Sequence, residues 1–289
     1  MTSSWMLVAG FLFATMGVFV KLGAEHFSAA EMALYRSLVT IVFAATLLAL
    51  HRQTVRSPVL GMHFIRGFVG TVSLIFYFYA ITHLPLATAQ TLNYTSPIFL
   101  AIATTVVLGE RPSPWMLVAI ILGFVGVALL LQPNFEEGKE GAAMVGLMSG
   151  VLATWAYLSV RTLGKLGEPD GRVLFWFGVI ASLMCAAWQV ATSTFHPIRW
   201  SNLWILAGVA ICGTLAQLAM TRAYRTGKTL VVGALSYSSI VFATAATFVV
   251  WNDRLEPLEW AGMGIIILSG IIAMRVERKE LVEEAGFDG

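Results

Sequence analysis

Apolar positions along this chain run in unbroken blocks of roughly 17–22 residues, the length that crosses about 30 Å of hydrocarbon as α-helix. Breaks at glycine, proline and charge clusters place ten blocks near residues 5–21, 30–50, 64–82, 87–108, 114–131, 142–160, 172–190, 202–221, 230–251 and 258–274. Barrel strands are shorter and alternate apolar with polar, which these blocks do not. The expected fold is therefore an all-α membrane protein with ten transmembrane helices. The first block, Trp5 to Val20, has no basic start and no small-residue cleavage site, and nine like it follow. It is expected to remain as a span.

Composition agrees: 58% of residues are hydrophobic and 12% charged, too few to clothe a soluble domain. The position of the charges adds an orientation. One set of loops, with both termini, carries Arg52, Arg56, Arg66, Arg111, Arg161, Lys165, Arg172, Arg222, Arg225, Lys228, Arg275, Arg278 and Lys279. The other carries Lys21, Arg36, Lys139, Arg199 and Arg254. Because short basic loops stay in the cytoplasm, both termini are expected there, with the body in the cytoplasmic (inner) membrane of a bacterium. The net charge of +2 includes no basic stripe interleaved with aromatics, so nucleic acid is not an expected partner. Cys185 and Cys212 lie in apolar blocks without a motif, and histidines 26, 51, 63, 83 and 196 show no metal-ligand spacing. No cofactor or metal is expected.

The chain also repeats. At an offset of 143, Gly70 falls on Gly213, Thr71 on Thr214, Ala80 on Ala223, Leu92 on Leu235, Tyr94 on Tyr237, Ser96 on Ser239 and Phe99 on Phe242. Glu110-Arg111 and Pro114 then meet Asp253-Arg254 and Pro257, and Ala14-Thr15 matches Ala153-Thr154 more weakly. Two units follow, residues 1–136 and 137–289. Five spans per unit is odd, so the second enters the membrane inverted, an arrangement common in transporters with a midplane site at the repeat interface.

The stretch LPLATAQTLNYTSPIFLAIATTVVLGER, the PSPWMLVAIILGFVGVALLL that follows it, the second copy TLVVGALSYSSIVFATAATFVVWNDR and the Tyr35-Arg36 step together resemble the drug/metabolite transporter superfamily, EamA type. The resemblance covers nearly the whole chain. It implies ten helices around a central cavity, movement of metabolites and no covalent chemistry. The stretch His63-Phe64-Ile65-Arg66-Gly67 is further similar to members associated with S-adenosylmethionine, riboflavin or related solutes.

On span four, Gln90, Asn93, Tyr94 and Pro97 share one helical face, and the repeat puts Gly233, Ser236, Tyr237 and Ile240 on the equivalent face of span nine. These groups line a cavity or hydrogen-bond between packed helices. Span three offers Gly70, Ser73 and Tyr77, and span eight offers Gln217, which is costly to leave facing lipid. Thr15, Thr154 and Trp155 complete the candidate substrate-binding set from spans one and six. Arg36 can meet a solute carboxylate or phosphate, pair with Glu31, or snorkel to the interface. Arg66 and His63 stand where anionic headgroups already account for a basic residue. Gly146 and Gly150 form a GxxxG pair explained by close packing.

These residues describe an aromatic, amide-rich cavity suited to planar or zwitterionic organic solutes such as amino acids, nucleosides, flavins or S-adenosylmethionine. The expected function is secondary transport by alternating access; a membrane-embedded enzyme or a channel is the alternative, though no nucleophile motif and no ring of charges supports either. A homodimer is compatible with such a chain, since a lipid-facing groove and a dimer face look alike in sequence. Every acidic residue falls in a loop, a terminus or about the first turn of a span, Glu31 and Glu259 coming closest to hydrocarbon. No mid-depth carboxylate is therefore offered to a coupling ion.

Overall fold

The structure is a computed structural model that describes residues 2–84, 86–109, 112–133, 137–192, 194–251 and 256–284. Arg111 and Arg254, and with them Glu110 and Asp253 of the repeat, lie outside the described residues. Twelve helices are seen: α1 Trp5–Gly23, α2 Ala29–Leu50, α3 Leu60–His83, α4 Leu86–Asn93, α5 Ser96–Leu108, α6 Pro114–Leu131, α7 Glu140–Lys165, α8 Asp170–Thr192, α9 Trp200–Thr226, α10 Thr229–Ser236, α11 Ser238–Trp251 and α12 Pro257–Glu284. Among the described residues nine segments are long and apolar enough to cross a membrane, with Thr229–Val250 counted as one. The tenth expected span is the pair α4 and α5.

Local chemistry sets the starts. Ser28 Oγ accepts from the Glu31 N–H at 3.1 Å, and the Ser28 N–H donates to Glu31 Oε2 at 2.9 Å, a reciprocal cap on α2. Ser113 caps α6 through the Met116 N–H, with Pro114 at the first helical position, where its missing donor costs nothing.

Spans four and nine, expected as continuous helices, are each broken in the middle. In the first half Tyr94 and Thr95 form a turn between α4 and α5, just before Pro97, whose ring nitrogen cannot donate to the preceding turn. In the second half there is no proline. Instead Ser236, Ser238 and Ser239 donate back to the carbonyls of Gly233, Leu235 and Ser236 at 2.6–2.7 Å, and the helix parts at Tyr237. The loosened carbonyls of Leu92 and Asn93 lie against Gly150, where a Cβ would come within 3.0 Å of each, and Gly146 admits Leu92 and Ala80. The GxxxG pair thus seats α7 on the break in span four.

Each span packs most extensively on one from the other half: α1 on α9, α3 on α7, α2 on α8 and α6 on α12. The largest buried cluster lies at the end carrying the termini, with Met6, Leu158, Leu163, Met220, Tyr224 and Val232 among its members. Toward the opposite end the core divides. There Phe27 and Met32 pack with Leu206 and Val209 of α9, while Ala80 and Ala89 pack with Ala142 of α7. The far ends of α7 and α9 therefore have different neighbours, although near the termini they touch, Tyr157 stacking on Tyr224 at 4.6 Å and Gly164 lying against Arg225.

Polar side chains tie the termini end shut. Glu168, in the turn between α7 and α8, accepts from Ser57 at 2.9 Å, is 3.0 Å from His63 Nε2 and receives two bonds from Arg172. Burial alone would raise its pKa, but the bonds from His63, Ser57 and Arg172 outweigh that and hold the carboxyl below the usual glutamate value. Arg225 donates to the Glu168 carbonyl and pairs with Asp170 at 2.6 Å, and buried Ser3 donates to Glu277. At the opposite end, Glu31 is fully buried and held by the His196 N–H at 2.6 Å and His196 Nδ1 at 2.7 Å. Glu31 is therefore committed to His196 and to the α2 cap, which removes it as a partner for Arg36.

Candidate functional site

The two helix breaks face each other. Tyr94 at the first and Tyr237 at the second have ring centroids 6.4 Å apart, and the Tyr94 hydroxyl hydrogen-bonds Ser239 Oγ at 2.6 Å, joining the two halves. Tyr237 is fully buried with a hydroxyl that finds no partner among the described residues, as does the Tyr224 hydroxyl. A buried hydroxyl left unpaired costs free energy. Tyr157 stacks on Tyr224 with ring centroids 4.6 Å apart. The described helices thus hold two tyrosine pairs, Tyr94 with Tyr237 and Tyr157 with Tyr224.

Amide groups flank this cluster. Gln90 is hydrogen-bonded to the Tyr77 hydroxyl, and Asn93 Nδ2 donates to Ser149 Oγ at 2.9 Å. Gln217 is 4% exposed and accepts from Arg36 at 3.2 Å. Ser236 is buried and its hydroxyl is spent on Gly233. Of the expected residues, Tyr94 and Tyr237 meet at the breaks, Tyr77 pairs with Gln90, Asn93 with Ser149 and Arg36 with Gln217, while the Tyr237 ring packs among Val127, Leu130, Met263 and Ile266 of α6 and α12.

Three others do not join them. Thr15 donates to the Phe11 carbonyl of its own helix, and Thr154 bonds the carbonyls of Gly150 and Ser96, fastening α7 to α5. Trp155 is 45% exposed and shares an exposed stripe of α7 with Met144 and Met148. Sequence reasoning missed Tyr157 and Tyr224 as members of the aromatic cluster. Both sit in long apolar helices, where a lone tyrosine carries no periodic signal; only the packing of α7 on α9 brings them together.

Arg66 was expected near headgroups, yet it is 3% exposed, lies 4.4 Å above the Phe177 ring and leaves Nε without a partner. The headgroup explanation fails because the side chain does not reach the surface. Two apolar grooves among the described residues, one including Leu60, Phe64, Phe68 and Trp176 and the other Leu7, Phe242, Ile267 and Met274, contain none of the expected site residues.

Nine apolar helical segments of membrane-crossing length among the described residues, with two broken spans opposed between the halves, define a polytopic membrane protein. Comparison with known proteins carries this further. The model of the EamA-like transporter family matches residues 1–132 and 141–275, and the chain belongs to that family. The Pseudopaline exporter CntI of Pseudomonas aeruginosa is 29% identical over 94% of this chain and 95% of its own length. A Riboflavin transporter of Vibrio cholerae is 25% identical, over 96% and 93%. A solved crystal structure superposes with a TM-score of 0.84 at 17% identity, over 96% of this chain and 98% of that one, and shows the same fold. The chain is a multi-pass integral membrane protein and a small-solute transporter; its family and these relatives transport solutes and are not enzymes.

Proposed function

We propose that the protein moves a small organic metabolite across the cytoplasmic membrane by alternating access, with the solute held between the two broken spans and both termini in the cytoplasm. The carrying observation is the meeting of Tyr94 and Tyr237, equivalent positions of the two repeats, at opposed helix breaks. An inverted repeat accounts for the pairing of helices, because exchanging the halves leaves the set of partners unchanged. The polar lock around Glu168 and the undivided core beside it are the closed gate; the divided end is the open one. The relatives are named for different solutes, pseudopaline and riboflavin, so the solute is argued from the site: aromatic faces with amide donors and acceptors suit a planar or zwitterionic organic molecule. All the groups come from one chain, so the scheme needs no dimer.

The test is uptake into proteoliposomes from a mixture of metabolites, read by mass spectrometry, with wild type and Tyr94→Ala/Tyr237→Ala at equal incorporation. Losing a hydrogen bond and a ring contact should weaken solute affinity about 5- to 150-fold. Near-normal transport by the double variant would sink the site.

A further inference from the structure

Equivalent glycines of the two halves each make room for an arginine. A Cβ on Gly70 would collide with the guanidinium of Arg66, and one on Gly213, its repeat partner, would lie 2.8 Å from Cδ and Nε of Arg36. Neither arginine has a carboxylate partner among the described residues: Glu31 is held by His196, Glu168 by His63 and Arg172, and Asp170 by Arg222 and Arg225. Arg36 makes one hydrogen bond, to the neutral Gln217, and Arg66 makes only its contact with Phe177 while Nε goes unpaired. Arginine stays charged in proteins, so it cannot escape this by losing a proton. Arg66 is 3% exposed and Arg36 half-buried, and burying a cation without a counter-charge is costly. A fold that keeps both while placing every described carboxylate elsewhere has left the counter-charge to be brought in.

The two sites are also at different depths. Arg36 lies seven residues into α2 from one end and Arg66 six into α3 from the other, so each Cα is about 9–10 Å inside its helix end. The two arginines therefore enter the interior from opposite ends, at different depths along their helices.

We propose that Arg36 and Arg66 form a two-point receptor for an organic dianion whose two carboxylates are several ångström apart. This rests on the transporter reading above and narrows it: the aromatic faces hold the body of the solute, and one guanidinium takes each acidic end, with bidentate geometry available to both.

The probes are the straight-chain dicarboxylates from malonate to adipate, their monomethyl esters and inorganic phosphate, titrated to tens of millimolar against detergent-purified protein. Binding is read as a rise in melting temperature and as protection of Arg36 and Arg66 from phenylglyoxal, located by mass spectrometry. At least one longer dicarboxylate should raise the melting temperature and protect both arginines, with its monoester about ten- to a hundredfold weaker. Arg36→Gln and Arg66→Gln should each lose the preference for diacid over monoester, and Arg36→Lys should keep part of it. If Arg66→Gln does not fold, the protection pattern in wild type decides the matter. No response to any dicarboxylate, a response to phosphate alone, or equal binding of diacid and monoester overturns the receptor. Should a neutral or cationic solute instead be transported in a way that needs Tyr94 but neither arginine, the transporter reading stands and this inference falls.

Discussion

Glu168 shows how one side chain can tie several elements together. It is 2% exposed, takes bonds from three side chains, and its backbone carbonyl receives a fourth from Arg225. Its pKa is lowered in the folded state, so its contribution to stability is fully present above the ordinary glutamate value of about 4.3 and is lost as pH falls through the lowered one. Glu168→Gln should therefore melt at a lower temperature than wild type at pH 7, by an amount equivalent to about 1–3 kcal/mol for the broken charged bonds. That difference should shrink steadily below about pH 4, where wild type loses the same charge. Parallel melting curves for the two proteins from pH 7 to pH 3 would show that the carboxylate contributes nothing through its charge. At this scale Tyr94, Asn93 and Tyr237 were legible in the sequence, because proline, polar spacing and the repeat mark them. The burial of Arg66 was not, since whether an arginine near a helix end points outward or inward depends on neighbours such as Phe177 and Gly70, which only the fold supplies.

Among the elements, the broken spans are what the hydropathy pattern hides. A run of apolar residues specifies a crossing, and serines bonding back to their own helix do not change its hydropathy, so the break at Tyr237 left no mark. The break at Tyr94 was half legible through Pro97. Its support from α7 gives a controlled prediction. A methyl group at Gly150 would press on Thr95 Oγ1 at 2.7 Å and on two backbone carbonyls, which cannot give way, whereas nothing lies within 4 Å of a Cβ at Gly17 on α1. Gly150→Ala should cost about 1–3 kcal/mol of stability through overpacking. Gly17→Ala should be neutral, or stabilising by up to about 1 kcal/mol from helix propensity. Thermal melts of both in the same detergent check this, and equal effects would mean that the break is not wedged against α7.

For the whole molecule, the ten crossings were legible because bilayer thickness fixes their length, and the charge split gives the orientation to be tested. Single cysteines at Lys139 and Arg199 should label from outside intact cells and one at Lys165 only after permeabilisation; the reverse pattern would invert the topology. The acidic residues Glu31, Glu168, Asp170 and Glu277 sit at the two ends, each already partnered. With no carboxylate at mid-depth among the described residues, binding should not require protein titration, and a pH gradient at clamped potential should drive no uphill accumulation of a transported solute. Accumulation abolished by Glu31→Gln or Glu259→Gln with binding intact would assign the proton to an end carboxylate instead.

Alternating access itself can be measured without knowing the solute. Helices α7 and α9 touch near the termini and have separate neighbours at the far end, so spin labels at Lys165 and Thr226 report one gate and labels at Gly141 and Trp200 the other. Breaking the lock with Glu168→Gln/Asp170→Asn should populate a longer 165–226 distance and, in the same protein, a shorter 141–200 distance. Reciprocal shifts in double electron–electron resonance are the predicted result; distances that stay fixed at the far end, or that lengthen at both ends together, would contradict the account.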